Sequence, residues 1–187
     1  MADNEFGYTA WGMGWVRLAE PLRQTRPDPL LPRARSIARN NGVRAEIEGH
    51  IVRAHIHRSG QASVTHLELA PLPRTAITTI AKVLTPEPPI LTDEMHRAVV
   101  DAGVDPAPAL AAADCSCSAR TSRCVHVLAT LYEMARRVDE NPRLSLDAQG
   151  YGSTLPGDED EGPAPEQARW TPINTLDTVT YFTAPAG

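Results

Sequence analysis

The 187-residue sequence predicts an α+β fold with a small antiparallel sheet and three to four helices. Three observations carry that expectation. Apolar and polar residues alternate with a period of two through 43–69. A helical apolar stripe runs through 124–138. Three cysteines and one histidine crowd into residues 115–126. That last spacing predicts a ββα-like Cys-x-Cys…Cys-x-His finger nucleated by a metal ion.

The elements follow in order. Residues 1–32 read as an aromatic and proline-rich arm. Phe6, Tyr8, Trp11 and Trp15 lie among glycines without a helical period, and Pro21, Pro27, Pro29 and Pro32 mark a loop. Residues 33–102 read as a small α+β body. Its first helix spans 33–41, stopped by Gly42, with Ile37 and Ala38 inward and Arg33, Arg35 and Arg39 outward. A meander of about three strands follows over 43–69, one face buried and one polar. Helices are expected at 75–84, capped by Thr75, and at 92–102, capped by Thr92 with Asp93 and Glu94 in its first turn. Residues 103–111 read as loop. Within the finger and following helix (103–150), Val127, Leu131, Met134 and Val138 form the stripe, and Asn141-Pro142 ends the helix. Residues 151–187 read as an acidic linker with an apolar C-terminal docking segment.

Charge has to be located before it is used. The net charge is −5, from 18 basic and 23 acidic residues. Six acids and one base fall in 156–187, which leaves 17 of each in 1–155. The body is neutral, so the global sign does not exclude an anionic partner. No run of apolar residues is long enough to span a membrane. Met1–Trp15 has neither a basic nor an apolar leader region, so a cytoplasmic location is expected.

The chemistry sits in Cys115-x-Cys117, six residues, then Cys124-x-His126. In an extended segment, residues two apart point to the same side. Cys115 and Cys117 can therefore offer two sulfurs to one ion. Cys124 and His126 open the next helix, whose positive end favours the Cys124 thiolate. Three sulfurs and one imidazole nitrogen complete a tetrahedral shell, a closed structural Zn2+ site. Catalytic zinc keeps one exchangeable position, so this donor set points away from an enzyme. The sequence has no phosphate-binding glycine loop, nucleophile elbow or zinc-hydrolase motif. His55 and His57 share a strand face but lack a companion ligand pattern, and read as solvated.

The Cys-x-Cys…Cys-x-His set before an amphipathic helix resembles the SWIM zinc finger. Trp11-Gly-Met-Gly-Trp15, the arginine-rich 33–43 segment, the 43–69 meander and Asp114-Cys-Ser-Cys117 are similar to small bacterial proteins carrying one SWIM finger. Val125 departs from the lysine often found there, which removes a basic side chain. The resemblance implies a binding module rather than an enzyme. The expected function is a zinc-finger adaptor mediating protein–protein interaction in a larger assembly, with a helicase, ATPase or other DNA-processing component as partner. The alternative is direct DNA or RNA binding.

That alternative rests on nine arginines against four acids in 17–58. Arg33, Arg35, Arg39 and Arg44, with Arg120 and Arg123 of the finger loop, are its candidate phosphate contacts. The sheet offers no aromatic platform for stacking bases. Trp11, Trp15, Trp170, Tyr181 and Phe182 are the candidate partner-docking residues.

Overall fold

A computed structural model describes residues 5–23, 28–58, 60–85, 88, 90–119, 121 and 123–152. They all belong to one compact unit, Met1–Leu155. The acidic segment 156–168, Arg120, Trp170, Tyr181 and Phe182 lie outside the described residues. In chain order the elements are α1 (Ala10–Ala19), α2 (Leu31–Arg39), β1 (Val43–Glu48), β2 (Ile51–Arg58) and β3 (Gln61–Leu69). Then come α3 (Arg74–Val83), α4 (Asp93–Asp101), β4 (Leu110–Cys115), α5 (Val125–Glu140) and α6 (Arg143–Asp147). Among the described residues this is an α+β fold of six helices and one four-stranded antiparallel sheet in the order β1-β2-β3-β4.

The sheet follows its alternation. Val52, Ala54, Ile56, Thr65, Leu67 and Leu69 are buried, while Arg44, Glu46, Arg53, His57, His66 and Glu68 are exposed on the opposite face. The loop expected over 103–111 overlaps the first two residues of β4. The strand forms by pairing with β3, with Thr65 opposite Cys115 and Leu67 opposite Ala113, and a bulge beside Leu69. α3 and α4 intervene in the chain between these paired strands.

The buried face is covered by α5, which contacts β1, β3 and β4 on one side and α1 and α2 on the other. Thr65 and Thr130 join β3 to α5 through a buried hydroxyl pair at 2.9 Å. An Arg137 guanidinium donates to the Ala45 carbonyl of β1.

The irregular aromatic arm is corrected by the structure. Its core is the helix α1, lying on α5. Thr9 caps it by accepting from the Gly12 N–H at 2.9 Å. The two helical glycines, Gly12 and Gly14, serve packing rather than turning. A Cβ on Gly12 would come within 2.1 Å of the Asp139 carboxylate, and one on Gly14 within 3.1 Å of Pro108. Trp11 and Trp15 are buried, and both indole N–H groups are satisfied. Trp11 donates to the Thr92 carbonyl at 3.0 Å, and Trp15 to the Ser145 hydroxyl at 3.2 Å.

Asp139 fixes the start of α1. Its carboxylate accepts from the backbone N–H groups of Gly7 (2.6 Å) and Thr9 (2.9 Å) and from the Thr9 hydroxyl (2.7 Å). This anion stands where the positive end of the α1 dipole needs one.

Three boundaries differ from expectation. α2 begins at Leu31, because Pro32 is tolerated in a first turn. Its left-handed terminal residue is Asn41 (φ 52°), not Gly42. Gly42 is needed for closeness, since a Cβ there would lie 2.9 Å from the Ile37 carbonyl oxygen. α3 is capped by Pro73 without a side-chain bond, so Thr75 lies inside the helix. Thr92 does cap α4, accepting from the Met95 N–H at 3.4 Å.

The Asp139 carboxylate is held by four donors in all and cannot yield to a methyl group on Gly12. Gly12→Ala is expected to destabilise the fold by about 2–3 kcal/mol. Denaturant unfolding checks this, and an unchanged midpoint would contradict the close-approach account.

Candidate metal centre

Cys115 is the last residue of β4. The ladder continues one residue further. The Ser116 N–H donates to the Val64 carbonyl at 2.9 Å, and the Ser116 hydroxyl accepts from the Val64 N–H at 2.9 Å. The chain is thus held to β3 between the two cysteines. The Cys117 N–H donates to the Cys115 sulfur, and the Ala119 N–H to the Cys117 sulfur. Such donors stabilise negative charge on sulfur.

The other two donors come from the start of α5. Cys124 is its N-cap residue, and the Cys124 carbonyl receives the Leu128 N–H at 3.1 Å. His126 follows two residues on. Behind it, the Thr130 hydroxyl bonded to Thr65 also donates to the His126 carbonyl at 3.0 Å.

The three sulfurs and a His126 ring nitrogen all lie within 4.8 Å of one another. Cys115 Sγ and His126 Nδ1 are 3.7 Å apart. Bonds of about 2.3 Å to sulfur and 2.0 Å to nitrogen place tetrahedral ligands about 3.6 Å apart. The donor set therefore fits one ion. Cys124 is buried, and Cys115, Cys117 and His126 are half-buried. Among the described residues no other group of His, Cys, Asp or Glu is arranged to hold an ion.

The electrostatics agree with this assignment. Burial, with Cys117 and Cys124 alongside, pushes the Cys115 thiol up to about 12. Burial also acts against the Cys117 thiolate. There it is outweighed by the Ala119 N–H and by bonds from Cys115 and Cys124, so Cys117 lies below the ordinary thiol range. A cation held among these sulfurs would favour their thiolate forms.

Arg123 ties the centre to α1. From the loop between Cys117 and Cys124, its guanidinium donates to the carbonyls of Leu18 (3.2 Å) and Ala19 (2.7 Å). These are the last carbonyls of α1, where a cation suits the helix dipole.

The expected nucleic-acid residues do not converge. Arg33 and Arg44 are exposed, on α2 and β1. Arg35, expected to face outward, is half-buried and bonds to Glu20 and to the Tyr132 hydroxyl (3.1 Å). Arg39 pairs with Glu5. Arg123 is engaged with α1 rather than displayed in a loop. Trp11 and Trp15 are corrected as docking residues, since both side chains are core.

Sequence reasoning missed Arg123 as a cap and Asp139 as an anchor. Asp139 had a legible signal: an acid near a helix C-terminus opposes the dipole, so it is placed there for another purpose.

No family model, curated protein or solved structure matches the chain. Among the described residues no helix is long and apolar enough to cross a membrane.

Two outcomes follow from this geometry. The purified protein should retain a single metal ion per chain, and Cys117→Ser should release it and lower the unfolding temperature. Elemental analysis and calorimetry read both effects, and a metal-free, fully folded wild type would contradict the centre. Arg123→Ala should cost about 1–3 kcal/mol through the two orphaned carbonyls while leaving the ion bound.

Proposed function

We propose that the chain is a non-catalytic zinc-binding adaptor of the SWIM type. The observation carrying this reading is the closed donor set Cys115, Cys117, Cys124 and His126 at the junction of β4 and α5. Three thiolates and one imidazole suit Zn2+ and leave no protein-free position for an activated water. The ion would fasten strand to helix, and Arg123 would extend that fastening to α1. β4, the four candidate ligands and α5 fall within the 103–150 segment read as the finger and its following helix.

The site is built for shape rather than for turnover, which favours presentation of a surface to another protein. As the resemblance implies, that protein belongs to a helicase, ATPase or other DNA-processing assembly. Direct nucleic-acid binding is the weaker reading. Arg35, Arg39 and Arg123 spend their charges within the chain, and Arg33 and Arg44 remain as candidate phosphate contacts.

Affinity capture with the full chain, a chain ending at residue 155 and Cys117→Ser tests the adaptor reading. The full chain is expected to retain a defined partner that the Cys117→Ser protein loses. A strictly monomeric protein that captures nothing would overturn it. In a salt titration with DNA and RNA, steep binding abolished by Arg33→Ala with Arg44→Ala would replace it with direct binding.

A further inference from the structure

The two edges of the sheet are not equivalent. Antiparallel pairing alternates residues whose backbone groups face the neighbouring strand with residues whose groups face away. The bond from the His57 N–H to the Gly42 carbonyl sets this phase for β1. Val43, Ala45 and Ile47 then face outward. The outward carbonyl of Ala45 is taken by Arg137, so this edge is partly blocked.

The bond from the Ser116 N–H to the Val64 carbonyl sets the phase for β4. Ala112 and Asp114 face β3, and Ala113 and Cys115 face outward. No described residue bonds the outward N–H and C=O groups of Ala113 or Cys115. The bulge beside Leu69 confines the free edge to Ala112–Cys115. Sheet edges in monomers are commonly protected by lysine, proline or a covering loop. The stretch Leu110–Cys115 contains neither residue type, and its protection is limited to the bulge beside Leu69 and the Asp114 charge.

The strand's one charge identifies its occupant. Asp114 is exposed, on the open face of the sheet opposite His66 of β3, and forms no ion pair with a described residue. A second copy does not answer it. Two-fold pairing of β4 with itself sets Asp114 against alanine, leucine or the other Asp114. A strand carrying lysine or arginine at the facing position supplies the missing charge.

We propose that the free edge of β4, at Ala113 and Cys115, accepts an extended segment of a partner protein by strand addition, with a basic residue of that segment opposite Asp114. The proposal rests on the adaptor reading and names how its partner docks. Backbone pairing would supply the affinity, and the Asp114 pair the preference. An ion held by Cys115 would fasten the receiving strand at its C-terminal end.

The test uses the full-length zinc-loaded protein and two short, soluble, strand-forming peptides. They are identical but for a central lysine or glutamate. Amide hydrogen exchange is followed by NMR. In the free protein the Ala113 and Cys115 amides exchange fast, and those of Ala112 and Asp114 slowly. The lysine peptide should slow Ala113 and Cys115 by about tenfold when it is in excess. The glutamate peptide should bind about fivefold more weakly. Asp114→Lys should reverse that preference in a folded protein, and Ala113→Pro should abolish the slowing.

Absence of slowing with either peptide overturns the proposal. So does slowing that ignores the Asp114 charge, or that grows with protein concentration alone, which would give the edge to a second copy. The peptide assay needs no natural partner and is separable from the capture experiment. Failed capture with intact peptide pairing would remove the adaptor reading alone. Successful capture without peptide pairing would place the partner elsewhere.

Discussion

The structure depends on covering α5 on every side. Eleven of its sixteen residues are buried, so it needs a sheet beneath it and helices around it. α1 supplies one of those covers and is clamped to α5 at both ends. Asp139, near the end of α5, holds the start of α1. Arg123, just before α5, holds the last carbonyls of α1. The signs of both charges suit the dipole of the helix they grip. Gly12 lets this packing close, Gly14 admits Pro108, and Trp11 and Trp15 are buried in the core.

The metal centre completes that clamp. Cys115 and Cys117 come from a strand end and the turn after it, and Cys124 and His126 from the helix that crosses the sheet. β4 is short and weak by composition, with alanines where strands favour branched residues. It is held by β3 along one edge, and the candidate ligands stand at its end. Burial acts against charge on both Cys115 and Cys117, the kind of site in which a cation would stabilise thiolates. An ion bound by all four would join β4 to the start of α5.

Much of this was legible from the residues. Period two fixed the meander because one sheet face is solvated. The stripe from Val127 to Val138 marked α5, Thr92 marked the start of α4, and the cysteine spacing marked the ligand set. The rest depended on contacts distant in sequence. α1 was hidden because its glycines answer to Asp139 and Pro108 rather than to helix propensity. β4 was hidden because Leu110–Ala113 has no strand signal until β3 is beside it. The arginines looked alike in sequence, yet Arg35 and Arg123 bond within the chain while Arg33 and Arg44 stand exposed. The charge of −5 resolved in the same way, into a neutral body and an acidic segment beyond residue 155.

The central claim is that one bound ion joins β4, α5 and, through Arg123, α1. Amide hydrogen exchange of the full-length protein before and after chelation tests it most directly. The account predicts that protection falls together in β4, the first turn of α5 and the last turn of α1. The β1–β2 pairing should keep its protection. An identical exchange pattern with and without the chelator would contradict it.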